Sequence, residues 1–159
     1  MSFVTTWVVP GTGQLVYVHQ QPLEVFGRYV QEGGDSKEAG GVLLGHVRGE
    51  HLEIIEATEP SIWDRRFRFF FERMPYFHHR LAQKRWKESK GLVRYVGEWH
   101  THPQDHPTPS SIDLKEWQIL AASRIDGRPV LALIVGCRDL HVEYMSSTGK
   151  RRILKHAKC

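Results

Sequence analysis

The sequence predicts a mixed α/β domain of the α+β kind, a largely antiparallel sheet with helices packed on it. Three observations predict it. Short apolar runs recur between Gly- and Pro-containing turns, as strands do. Residues 22–31 and 75–90 carry the apolar spacing or the terminal punctuation of helices. The length of 159 residues fits one hydrophobic core, so residues 1–159 are expected to form a single domain.

The elements follow in order. Residues 3–9 and 14–18 read as two short strands split by Pro10-Gly11-Thr12-Gly13, a hairpin-like signal. Residues 22–31 place Leu23, Phe26, Tyr29 and Val30 at helical spacing, and Gly33-Gly34-Asp35 stops that helix. Residues 40–47 and 51–57 form a hairpin around Arg48-Gly49-Glu50. Residues 66–71 read as a further strand. Residues 75–90 are a helix with Pro75 at its start and Gly91 past its end. Residues 92–102 run as a strand into a Pro-rich loop, residues 103–109, and residues 110–123 form a helix. Residues 129–136, 141–145 and 150–155 complete the sheet, the last as an edge strand.

The formal charge of +4 is mildly basic, and acidic partners are favoured only weakly by it. Of the two cysteines, Cys137 lies in an apolar run and reads as a core residue, while Cys159 ends the chain. A disulfide framework is therefore not expected, which fits a reducing compartment. The N-terminus lacks a signal-peptide pattern and no apolar run is long enough to span a membrane. The protein is read as soluble and cytoplasmic, without a membrane partner.

The chemistry is concentrated between Trp99 and Asp113. On a strand, residues two apart share a face, so His100 and His102 present two imidazoles together. Asp113 opens the next helix and offers a carboxylate. Two His and one carboxylate leave a fourth zinc position for water, the layout of a catalytic site. Ser110-x-x-Asp113 also spells a helix capping box. The two roles of Asp113 compete, and its carboxylate is expected to face the His pair rather than turn back on the Ser110 amide.

His100-Thr101-His102, seven residues, Ser110, two residues and Asp113 together resemble the JAMM motif of the JAB/MPN metallopeptidases. That family adds an upstream Glu before a Gly-containing apolar strand, and Glu38-Ala39-Gly40-Gly41-Val42-Leu43-Leu44-Gly45 is similar to that pattern. The resemblance implies a JAB/MPN, cytidine-deaminase-like fold with one Zn²⁺ per chain. It implies that His100, His102 and Asp113 ligate the metal. Glu38 would act as general base and then acid, and Ser110 would donate to the oxyanion. The implied activity is that of a zinc metallo-isopeptidase, deubiquitinase-like. It would cleave after the C-terminus of a ubiquitin-like modifier or of a conjugated cGAS-like nucleotidyltransferase. The compact chain resembles the stand-alone bacterial JAB peptidases of CBASS antiphage operons, with E1- and E2-like enzymes as pathway neighbours. Alternatives are a metal-free MPN scaffold and a peptidase that processes a sulfur-carrier-like protein.

Other residues are read more plainly. Asp105 and His106 are expected in an exposed loop, and His46, His51, His78, His79 and His141 have no partner at metal spacing. In relatives with a second, structural zinc, a His stands two positions after the ligand Asp; here it is Lys115, and no second zinc is expected. Arg65-Arg66-Phe67-Arg68-Phe69-Phe70-Phe71 interleaves basic and aromatic residues. Single-stranded nucleic acid is one reading. A strand with a buried aromatic face and a solvated basic edge is favoured over it, and a wall that meets the substrate protein is the third. A narrow groove would hold a thin tail by adding it to a sheet edge.

Overall fold

A computed structural model describes residues 3–157 apart from Phe70, and leaves out the side chain of Tyr76. Phe70 and Cys159, which entered the reading above, and Met1, Ser2 and Lys158 lie outside the described residues. The strands in chain order are β1 (Thr6–Val8), β2 (Leu15–Val18), β3 (Gly40–Arg48), β4 (His51–Ala57), β5 (Arg65–Arg66), β6 (Phe71–Glu72), β7 (Arg94–Thr101), β8 (Val130–Val135), β9 (Leu140–Met145), β10 (Arg151–Ile153) and β11 (Lys155–His156). The helices are α1 (Gln20–Tyr29), α2 (Pro75–Glu88) and α3 (Ser111–Ser123). The expected α+β architecture is present: a nine-stranded sheet in the order β10-β9-β8-β7-β3-β4-β2-β1-β11, with helices packed against it.

Most neighbours are antiparallel, but β7 pairs with β8 and β2 pairs with β4 in parallel. A parallel pair needs a crossover. Between β7 and β8 the crossover is the Pro-rich loop and α3, which brings the start of α3 to the carboxyl end of β7. Alternation along β7 then divides its side chains. Trp99 and Thr101 point into the main core with Phe26, Val16 and Leu133. His100 points to the α3 face, where its ring centroid lies 6.1 Å from that of Trp117. Trp117 packs there with Ala132, Ile134 and Met145.

Four expectations are corrected. Residues 66–71 do not form one strand: β5 and β6 pair with each other as a small ribbon, and the intervening carbonyls go elsewhere. Phe67 O accepts from Glu38 N at 2.5 Å and Arg68 O accepts from Gln31 Nε2 at 2.9 Å. The aromatic face is not buried either, since Phe67 is 54% and Phe69 72% exposed. Residues 150–155 are not one edge strand. The segment pairs with β9 at one edge of the sheet, passes through buried Leu154, and pairs with β1 at the other edge. Cys137 is half-buried just past β8, and its thiol donates to Gln31 O at 3.3 Å. The buried strand ends at Val135, two residues short of it.

Candidate metal centre

The site forms where the end of β7 meets the start of α3. Nε2 of His100 stands 3.0 Å from Nε2 of His102. Asp113 Oδ1 lies 3.4 Å from His100 Nε2 and Oδ2 lies 3.3 Å from His102 Nε2. The three side chains are 12–15% exposed. His102 lies just past β7, yet its backbone N–H still donates to Val135 O on β8 at 3.0 Å, so it keeps the strand's alternation.

Asp113 overturns the expectation that its two roles compete. Ser110 N donates to Asp113 Oδ2 at 2.9 Å, and Asp113 N donates to Ser110 Oγ at 3.1 Å. This is a complete capping box. The same carboxylate faces both imidazoles, because a carboxylate offers several lone pairs and the amide takes one of them. The position in the first turn of α3 also suits a negative charge.

The donor set fits a metal ion on two counts. Atoms about 2.0–2.1 Å from one tetrahedral ion stand roughly 3.3 Å apart, and the three observed separations bracket that value. The ring of His102 is also set up for it. Gln104 Oε1 accepts from Thr108 N at 3.1 Å, which fixes that atom as the amide oxygen. His102 Nδ1, 3.2 Å away, must then be the donor, which leaves a bare lone pair on Nε2 in the neutral ring. Among the described residues, His100, His102 and Asp113 are the group able to hold a metal ion.

Glu38 enters from the loop before β3. It is 5% exposed and lines the same cleft as the three donors. Burial raises its carboxyl to about 7, with the charge of Asp113 adding to the rise and His102 opposing it. Asp113 moves the other way. Its burial would raise it, but hydrogen bonds with His100 and His102 hold it well below the usual carboxylate range. Two carboxylates in one cleft thus differ sharply in proton affinity, the pattern of an acid–base partner beside a permanent anion.

Several residues that hold this arrangement escaped the sequence reading. Thr101, between the two histidines, points the opposite way and is fully buried. Its Oγ1 accepts from Ala39 N at 3.0 Å and donates to Gln31 Oε1 at 2.8 Å. That joins the residue after Glu38 to the ligand strand. Gly40 makes room for the adjacent wall: a Cβ there would stand 2.6 Å from Trp99 O and 2.8 Å from the Phe71 ring. His78 pairs with a carboxylate and a hydroxyl instead of a metal. Its Nε2 lies 2.8 Å from Asp64 Oδ2 and its Nδ1 2.6 Å from Thr58 Oγ1. The alternation that exposes a His pair could be read locally, but these partners lie 14 or more residues apart and carried no local signal.

The cleft itself has a volume of about 730 Å³. Its floor is β7. One wall is Phe69, Phe71, Glu72 and Arg73, and the other is the outer face of α3, with Ile112, Glu116 and Leu120. Phe69 and Phe71 of the interleaved basic and aromatic stretch therefore line the cleft. Asp105 and His106 are exposed in the loop, as expected.

A mixed sheet with two histidines and a carboxylate gathered at a strand end and a helix start defines an α+β domain with a candidate metal centre. The chain belongs to the family described as prokaryotic homologs of the JAB domain, whose model matches residues 23–148. A Pseudomonas aeruginosa protein named CD-NTase/cGAS isopeptidase is 45% identical over 150 residues, covering 94% of this chain and 95% of that one. An Escherichia coli protein of the same name is 40% identical over 114 residues, 72% of this chain and 71% of that one. A solution structure of a Desulfitobacterium hafniense protein superposes with a TM-score of 0.59 at 15% identity, covering 90% of each chain, and shares the fold. No helix among the described residues is long and apolar enough to cross a membrane.

Proposed function

We propose that this protein is a zinc-dependent isopeptidase that releases a CD-NTase, a cGAS-like nucleotidyltransferase, from proteins to which its C-terminus has been conjugated. The observation that carries the reading is the set of His100, His102 and Asp113 donors at metal spacing, with buried Glu38 in the same cleft. The substrate class is supported by the names of relatives that match along most of the chain. On this reading, which the resemblance to stand-alone JAB peptidases supports, the reaction runs in the cytoplasm as part of an antiphage conjugation system with E1- and E2-like enzymes.

His100, His102 and Asp113 would hold the ion. Bound zinc lowers the pKa of its water from about 15.7 to roughly 7 and polarises the scissile carbonyl. Glu38 takes a proton from the attacking water, and its pKa of about 7 suits that task at neutral pH. Water oxygen bonds to the carbonyl carbon, the carbon–nitrogen bond breaks, and Glu38 passes the proton to the departing lysine amine. Ser110 uses a lone pair for its cap contact, so its O–H proton is available for the developing oxyanion. Removal of one such donor costs about 10²- to 10³-fold in turnover.

The test is incubation of the purified protein with a CD-NTase conjugate, with and without a zinc chelator, together with Glu38→Gln. Cleavage by the wild type, lost on chelation and lost in Glu38→Gln while zinc is retained, is the expected result. A protein that purifies without zinc, and whose Glu38→Gln form behaves as wild type, would be a scaffold.

A further inference from the structure

A buried ion pair crosses the floor of the cleft. Arg73 Nη2 donates to Glu98 Oε1 at 2.7 Å and Arg73 Nε donates to Glu98 Oε2 at 3.2 Å. Tyr95 Oη donates to Glu98 Oε1 at 3.0 Å. The side chains of Arg73 and Glu98 are only 18% and 10% exposed. Glu98 lies on β7 two residues before His100 and therefore on the same face. Arg73 ends the aromatic wall, following Phe71 and Glu72 of β6. The pair is thus a direct link between the wall and the strand that presents the two histidines.

Stability alone is a poor reason for such a pair. Desolvating a carboxylate and a guanidinium often costs as much as their attraction returns, and an apolar pair of similar volume serves equally well. A fork-to-carboxylate contact does supply direction: two parallel bonds fix both distance and angle, which packed methylenes do not. The wall needs that constraint. Phe69 is 72% exposed, and the two-residue strands of the ribbon bury little.

We infer that Arg73 and Glu98 are positioning residues that fix the aromatic wall over the ligand strand, and so set how tightly the cleft grips a substrate chain, without taking part in the chemical step. The inference rests on the isopeptidase reading for its substrate, while its structural half can be tested without any substrate.

The first experiment is hydrogen exchange on the wild type, Arg73→Met, and the double variant Arg73→Met with Glu98→Met. Faster exchange confined to residues 67–74, with β7 and β8 unchanged, is the expected pattern in both variants. Unchanged exchange in the wall overturns the inference whatever the substrate is. The second is steady-state cleavage of the CD-NTase conjugate by the same proteins and by Arg73→Lys. The double variant should melt within a few degrees of wild type, bind as much zinc, and show KM raised about tenfold with kcat within about twofold. Arg73→Lys, which keeps the charge but loses the fork, should lie between. A KM that stays at the wild-type value in the double variant, or a fall in kcat at constant KM, sinks the proposal. Wild-type protein that fails to cleave the conjugate counts against the isopeptidase reading, and the exchange result then decides the positioning role by itself.

Discussion

Asp113 serves two structures with one carboxylate, and its substitutions should separate them. Asparagine keeps an oxygen that can accept from Ser110 N but offers a metal no negative charge. Asp113→Asn is therefore expected to unfold within about 0.5 kcal/mol of wild type, yet to purify with little metal by mass spectrometry. Ser110→Ala should do the reverse, costing about 1 kcal/mol in chemical denaturation while metal content holds. Thr101 makes the same point from the other face of the strand. Thr101→Val leaves Ala39 N and Gln31 Oε1 without their buried partner, at a cost of about 1–3 kcal/mol. It should also slow hydrolysis by displacing Glu38, with the metal retained. The motif residues were legible because a strand period, a helix cap and a short spacing are local features. Thr101 carries no such local signal, because its partners come from just past α1 and from the loop before β3.

At the level of the element, α2 and the cleft wall hang on polar anchors. Among the described side chains of α2, His78 is the one that reaches the fully buried interior, and it meets Thr58 and Asp64 there. Thr58 Oγ1 also accepts from Val42 N at 2.9 Å, so its own proton goes to His78 Nδ1 and the neutral ring donates through Nε2 to Asp64. Burial lowers His78 below an ordinary imidazole, although Asp64 pulls the other way. Burial would raise Asp64, but its bonds from His78, Met74 N and Ser61 N more than offset this and lower it. Both groups therefore bind fewer protons folded than unfolded, so both stabilise at high pH. The His78 share is present above about pH 6.5 and is lost as pH falls through its lowered value; the Asp64 share is present above about pH 3.9 and goes later. Urea midpoints should accordingly fall on acidification from pH 7 to 5 in wild type, and the decline should flatten in His78→Gln. A slope unchanged by that substitution would place the titration elsewhere. The boundaries of α2 were readable from Pro75 and Gly91, but its anchor was not. Residues 66–71 misled for the opposite reason: alternation of Arg and Phe imitates a strand, while Gln31 and Glu38 take the backbone groups a strand would need.

For the whole molecule, the order of strands is set by long-range pairing. The hairpin β3–β4, the crossover through α3 and the run into β9 follow from turns and apolar patterns. That the sheet curls until one segment can serve both edges does not, because twist accumulates over nine strands and leaves no mark on any one of them. In the main sheet, β3, β7 and β8 are paired on both sides where they flank the cleft. Deletion of residues 151–159 should abolish cooperative unfolding and shift the protein to aggregates on gel filtration, since it uncovers β9 and β1 together. Residues Arg151–His156 are also synthesised after every strand they pair with. On the ribosome, then, the nascent chain carries two uncovered strands until that segment emerges. A ribosome stalled before that stretch should display a protease-sensitive, chaperone-bound intermediate, and release should convert it to the resistant form in one step.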